Sequence, residues 1–154
     1  MKKGLTLIEL MVVTALVSII VAVSATVFLT GLSAWVSGRD RTEIREGASL
    51  AMERMVRDLC QAGTITAATA SAITFTADVN NDGVNETVTF NQNGIPDAQA
   101  LTFSYTDLNN NSIPVPVAQA SLSSIRVVTI ALTMNKGDET YALSSSAYTR
   151  NQGP

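Results

Sequence analysis

The chain begins Met1-Lys2-Lys3-Gly4-Leu5-Thr6-Leu7-Ile8-Glu9-Leu10-Met11-Val12-Val13, and this stretch decides how the rest is read. Two lysines precede an apolar run in which Glu9 is the only charged side chain between Leu5 and Val36. Between Leu10 and Val36 there is no charge at all. About 20 apolar residues suffice to cross the hydrocarbon core of a bilayer as a helix, so the run is long enough to span. A secretory signal also opens with basic residues, but its apolar segment is shorter and its cleavage site follows that segment. Here a carboxylate stands near the start instead. A charge at membrane depth is expensive, so Glu9 calls for a partner or a role. On these grounds alone, a plain N-terminal anchor with Glu9 at the interface remains equally open.

Outward from this segment, the composition narrows the function classes. The 154 residues allow one small domain beside one extended element. There is no histidine, which excludes His-based catalysis and His-containing metal sites. Cys60 is the single cysteine, so neither an internal disulfide nor a Cys-x-x-Cys site can form. Without the first four residues, eight basic side chains remain against 13 acidic ones, and Lys136 is the last lysine. A net charge near −5 argues against a nucleic-acid backbone as the main ligand. An enzyme would have to work with carboxylates alone, and no Asp/Glu pair stands in a strand-end or cleft context.

Beyond Gly38 the helical pattern continues in a different dress. Apolar residues recur at Ile44, Ala48, Ala51, Met52, Met55, Leu59 and Ala62, which is helical spacing. Glu53, Arg54, Arg57 and Asp58 are expected on the opposite side, with Glu53–Arg57 and Arg54–Asp58 at i,i+4. No proline occurs before Pro96. We therefore expect one helix over residues 5–62, with Gly63 as its stop. Residues 5–36 form the transmembrane or filament-core part and residues 37–62 the amphipathic continuation. The Met and Leu stripe reads as core packing.

Residues 63–154 alternate short apolar runs with Asn/Asp/Gly clusters, the signature of strands and turns. Strands are expected at residues 73–77, 86–90, 101–105, 124–133 and 139–145, with a strong turn at Asn135-Lys136-Gly137-Asp138. About five antiparallel strands in one small sheet would need the amphipathic helix for stability. The expected class is α+β. Between the first two strands, Asp78, Asn80 and Asp82 followed by Gly83 match the opening of a calcium loop. Thr89 stands where that loop ordinarily ends in glutamate, and Glu86 lies earlier. The same residues read equally as a hairpin turn that tolerates tight backbone geometry. Asp107-Leu108-Asn109-Asn110-Asn111 is a weaker echo without the glycine and reads as a loop.

Lys-Lys-Gly followed by Leu5-Thr6-Leu7-Ile8-Glu9-Leu10 resembles the leader of type IV prepilins and type II secretion pseudopilins, with leucine at position 5 where phenylalanine is more usual. The resemblance implies a pilin-like fold, a long N-terminal helix on a small antiparallel sheet. It implies that residues 1–4 are a leader removed by a membrane prepilin peptidase between Gly4 and Leu5, on the cytoplasmic side. The new amino terminus, Leu5, would then be N-methylated. Glu9 would pair with the α-amine of a neighbouring subunit during assembly. The implied partners are other pilins, the assembly platform and the inner membrane, with residues 63–154 extracytoplasmic and no nucleic acid. No cofactor is required, and calcium on Asp78, Asn80, Asp82 and Glu86 is the optional one. The order of segments, from residues 51–59 through a phenylalanine strand and its Asp/Asn loop to Ser124-Ile125-Arg126-Val127-Val128 and Tyr148-Thr149-Arg150-Asn151, resembles W-type minor pilins and J-type minor pseudopilins. The helix-kinking proline of major pilins is missing. A single-pass anchored binding module is the alternative.

Overall fold

The computed structural model describes residues 6–150. The chain forms two compact units that divide between Arg39 and Asp40. Its first element, α1 (Leu7–Cys60), is a single helix.

The first unit consists of the α1 residues up to Arg39, and its apolar side chains are exposed all round, from Leu7 to Val36. A segment rich in Val and Ile is a mediocre helix former in water, but in hydrocarbon a helix satisfies every backbone group within the segment. The hydroxyls follow the same rule. Thr14 donates to the Met11 carbonyl at 3.0 Å, Ser18 to Thr14 at 2.7 Å, and Thr26 to Val23 at 2.8 Å. Thr30 donates to Thr26 at 2.8 Å and Ser33 to Thr30 at 2.9 Å. Each polar group is thereby returned to the helix's own backbone. The helix is long and apolar enough to cross a membrane.

In the second unit, α1 buries Ile44, Ala48, Met52, Met55 and Leu59, the stripe expected from the spacing. Asp58 is buried with them, contrary to the expectation that it faces outward. It accepts a hydrogen bond from Arg57 Nε at 3.2 Å and has Arg54 Nε at 3.7 Å. A carboxylate inside needs such compensation, and two arginines reaching in from exposed positions supply it. Gly63 is not the helix stop. The last turn tightens instead, with Gln61 N–H reaching the Asp58 carbonyl at 3.2 Å and Ala62 N–H reaching Leu59 at 3.2 Å. Buried Ala62 then leads directly into the sheet, where Gly63 N–H donates to Thr76 O at 2.8 Å.

Seven strands, rather than five, fall into two antiparallel sheets among the described residues. The first has β1 (Thr64–Ala68), β2 (Ala72–Ala77) and β3 (Glu86–Asn91) in that order. The second comprises β4 (Ala98–Thr106), β5 (Ser112–Ile113), β6 (Val127–Lys136) and β7 (Glu139–Tyr148), in the order β5-β4-β6-β7. The connection after β3 breaks one sheet into two. A 3-10 turn at Gln92–Gly94 and Pro96, which lacks a donor, intervene, and Gln92 Nε2 holds the Ala98 and Gln99 carbonyls at 3.1 and 2.8 Å. Residues 119–124 form a second 3-10 turn that takes in the first residue of the expected 124–133 strand, and β6 begins at Val127. Between β6 and β7, Gly137 opens a two-residue turn at φ +57°, and an added Cβ would lie 3.3 Å from Asp40 Oδ2.

The core joins the helix stripe to Ile73, Phe75, Phe103, Ile130 and Leu132. Tyr105 is fully buried, and its hydroxyl donates to Thr69 O at 2.8 Å. Ionic contacts fasten the β6–β7 hairpin to the helix outside this core. Arg41 Nε meets Glu139 at 2.8 Å, Lys136 pairs with Glu43, and the Arg45 guanidinium lies 5.6 Å from the Tyr141 ring centre. Each contact pairs an exposed side chain with a half-buried one, so solvent still screens it and the buried stripe carries most of the energy.

Leu59→Ala should lower stability by about 2–5 kcal/mol, read as a lower thermal midpoint. Burial raises the Tyr105 phenol above its ordinary value. The unfolded chain therefore ionises first, and stability should fall as pH rises above about 10. Tyr105→Phe should lessen that alkaline fall while costing about 1 kcal/mol at neutral pH. An unchanged alkaline slope in denaturant titrations would contradict the assignment.

Candidate functional site

The first turn of α1 is built around Glu9. Thr6 precedes the helix, and its hydroxyl accepts the Glu9 N–H at 3.4 Å. The Glu9 carboxylate reaches back and accepts from the Thr6 N–H and the Thr6 hydroxyl, both at 3.0 Å. This reciprocal arrangement is a capping box, in which a Thr-x-x-Glu spacing satisfies orphan donors at both positions. It also places the carboxylate beside the positive end of the helix dipole. Thr6 is a site residue that the reading above passed over, although the Thr6-to-Glu9 spacing was visible in the sequence. Gly4 and Leu5, the expected cleavage and methylation positions, lie outside the described residues.

The second candidate is the loop joining β2 to β3. Asp78 accepts from Asp82 N–H at 3.1 Å and from Gly83 N–H at 2.9 Å. Asn80 Oδ1 accepts from Asp82 N–H at 3.0 Å, and Asp82 accepts from Val84 N–H at 2.8 Å. Glu86 accepts from Val79 N–H at 3.2 Å. The Asn80 amide nitrogen donates to both Asp82 and Glu86 at 3.0 Å, which links these three side chains, while Asp78 is engaged only by backbone N–H groups. As they stand, their oxygens serve the turn. Among the described residues no group of three Cys, Asp or Glu side chains is placed to hold a metal ion. Gly83 at φ +86° and Asn81 at φ +63° take the left-handed positions that close the loop.

The Asp107 loop is self-contained in the same manner. Asp107 accepts from Asn109 N–H at 2.8 Å, from Asn111 N–H at 2.8 Å and from the Asn111 amide at 3.0 Å. These donors, the Asn111 pair foremost, hold its carboxyl below the usual range. Cys60 is half-buried at the end of α1.

The family described as the prokaryotic N-terminal methylation motif matches residues 1–25. No curated protein and no solved structure matches the chain. The matched stretch contains the expected cleavage position, the Thr6–Glu9 capping box and the opening turns of the apolar helix.

Thr6→Ala should cost the helix start about 1 kcal/mol. In detergent micelles this should appear as roughly fivefold faster amide exchange over residues 7–9, and unchanged exchange would contradict the cap.

The chain thus opens with a type IV prepilin-like signal, of the kind a prepilin peptidase processes, ahead of a pilin-like α+β architecture.

Proposed function

We propose that this chain is a minor pilin or pseudopilin. Its leader is cleaved after Gly4, Leu5 is methylated, and the subunit enters or primes a type IV pilus or a type II secretion pseudopilus. The supporting observation is the methylation motif at residues 1–25 running into one unbroken apolar helix. The motif implies prepilin peptidase and other pilins as partners, and the proposal adds the assembly platform. Lys2 and Lys3 favour a cytoplasmic amino terminus, which puts the sheet-bearing unit outside the inner membrane. The minor-subunit reading rests on the W-type and J-type segment order and on the missing proline.

Glu9 connects anchor to filament. In the lone subunit its carboxylate is occupied by Thr6, which allows it to wait at the membrane surface. In a filament the first turn packs among neighbouring helices, and a buried carboxylate without a counter-charge is strongly unfavourable. The free α-amine of Leu5 on an adjacent subunit supplies that charge and fixes the axial register. Glu9→Ala should leave leader cleavage intact while reducing filament incorporation about tenfold or more. Removing one member of a buried pair costs about 3–5 kcal/mol, which is ample for that loss. Incorporation at the wild-type level would defeat this role. A single-pass binding module is the competing reading, and it predicts that the leader stays attached.

Calcium at residues 78–86 is a separate proposal. Its support is that Asp78, Asn80, Asp82 and Glu86 share one loop, with the Asn80 amide nitrogen lodged between the Asp82 and Glu86 carboxylates. A cation there requires the Asn80 amide to turn its oxygen inward. Calorimetric titration of the full chain in detergent should give saturable heat that Asp82→Ala abolishes. No heat at millimolar calcium ends the idea.

A further inference from the structure

We propose that Trp35 and Arg39 form an interfacial anchor that engages phospholipid headgroups on the side of the membrane opposite Glu9, setting the depth at which α1 sits. The inference deepens the membrane-anchored reading above and rests on it.

The uncharged stretch is longer than a bilayer needs. Residues 10–36 make about 40 Å of helix, against a hydrocarbon core of about 30 Å. Something apolar must therefore lie beyond the hydrocarbon, and the cost of charge decides which end it is. Glu9, locked into its cap on Thr6, resists entering the hydrocarbon and holds the first turn at one surface. The surplus then falls at the far end.

Trp35 lies 26 residues beyond Glu9, about 39 Å along the axis. A bilayer with both headgroup layers is about 40–45 Å thick, so Trp35 arrives in the far headgroup layer. A tilt of about 20° shortens the projected distance only to about 37 Å and leaves it there. Its ring is 65% exposed on the helix surface. An indole has an apolar body and one N–H donor, which suits the boundary between acyl chains and headgroups.

Arg39 strengthens the match. It follows Trp35 by four residues, hence on the same helix face, and is the first cation after the apolar run. It is exposed, and among the described residues it makes no ion pair. A guanidinium at headgroup depth meets phosphate oxygens in the paired geometry it prefers. The partner is thus a lipid phosphate layer, with the indole below it and the guanidinium within it.

Trp35 is the chain's only tryptophan, so its fluorescence reports this one position. The full chain would be reconstituted into phosphatidylcholine/phosphatidylglycerol vesicles carrying a quencher near the headgroup or deep in the acyl chain. The expected ratio of shallow to deep quenching exceeds one. Arg39→Leu, which removes the guanidinium and leaves Asp40 as the first charge after the run, should loosen the headgroup hold and lower the ratio, whereas Arg39→Lys should preserve it. Stronger deep quenching in the wild type, quenching only by aqueous iodide in vesicle-bound protein, or a ratio unmoved by Arg39→Leu would overturn the anchor. Failure of the protein to float with vesicles would instead overturn the membrane reading on which it rests.

Discussion

An unbroken backbone hydrogen-bond ladder through α1 is what the rest of this molecule depends on. Outside water, a backbone has no alternative donors, so a segment such as residues 7–36 must be helical and continuous. No proline interrupts it, and the hydroxyls of Thr14, Ser18, Thr26, Thr30 and Ser33 bond back to its own carbonyls. The same ladder continues beyond Arg39, where its side chains meet a different requirement. There the helix presents Ile44, Ala48, Met52, Met55 and Leu59 to the sheets, and neither sheet could bury its apolar face without that stripe. One helix therefore serves two environments, distinguished only by which faces are apolar.

This division explains which parts of the fold were legible in the sequence. The apolar run and the stripe declare themselves because hydrophobic periodicity is a local signal. The β2, β3, β4, β6 and β7 cores were legible for the same reason. β1 and β5 were not: one is Thr- and Ala-rich with a bulge, the other only two residues long, and both exist by pairing with longer neighbours. The separation into two sheets depends on the turn after β3, a tertiary matter that alternation does not encode. Asp58 was misplaced because periodicity assigns a charge to the outer face, whereas Arg54 and Arg57 make its burial tolerable.

The candidate sites show a similar contrast. Glu9 was legible as unusual from the energetics of charge in lipid, but its partner Thr6 emerged only with the helix start in view. The cap also accounts for how a carboxylate next to a membrane is kept satisfied before any neighbour arrives. The Asp78 loop was legible as a cluster of oxygen-bearing side chains around a glycine. What the letters do not specify is that these oxygens already serve the backbone N–H groups of a tight turn.

The central proposal is that residues 1–4 are removed and that the new amino terminus, Leu5, is methylated. Intact mass measurement of the protein recovered from cell membranes tests this most directly. The account predicts a mature chain beginning at Leu5 and carrying one added methyl group. A protein that retains Met1 to Gly4 would contradict it and leave α1 as an ordinary membrane anchor.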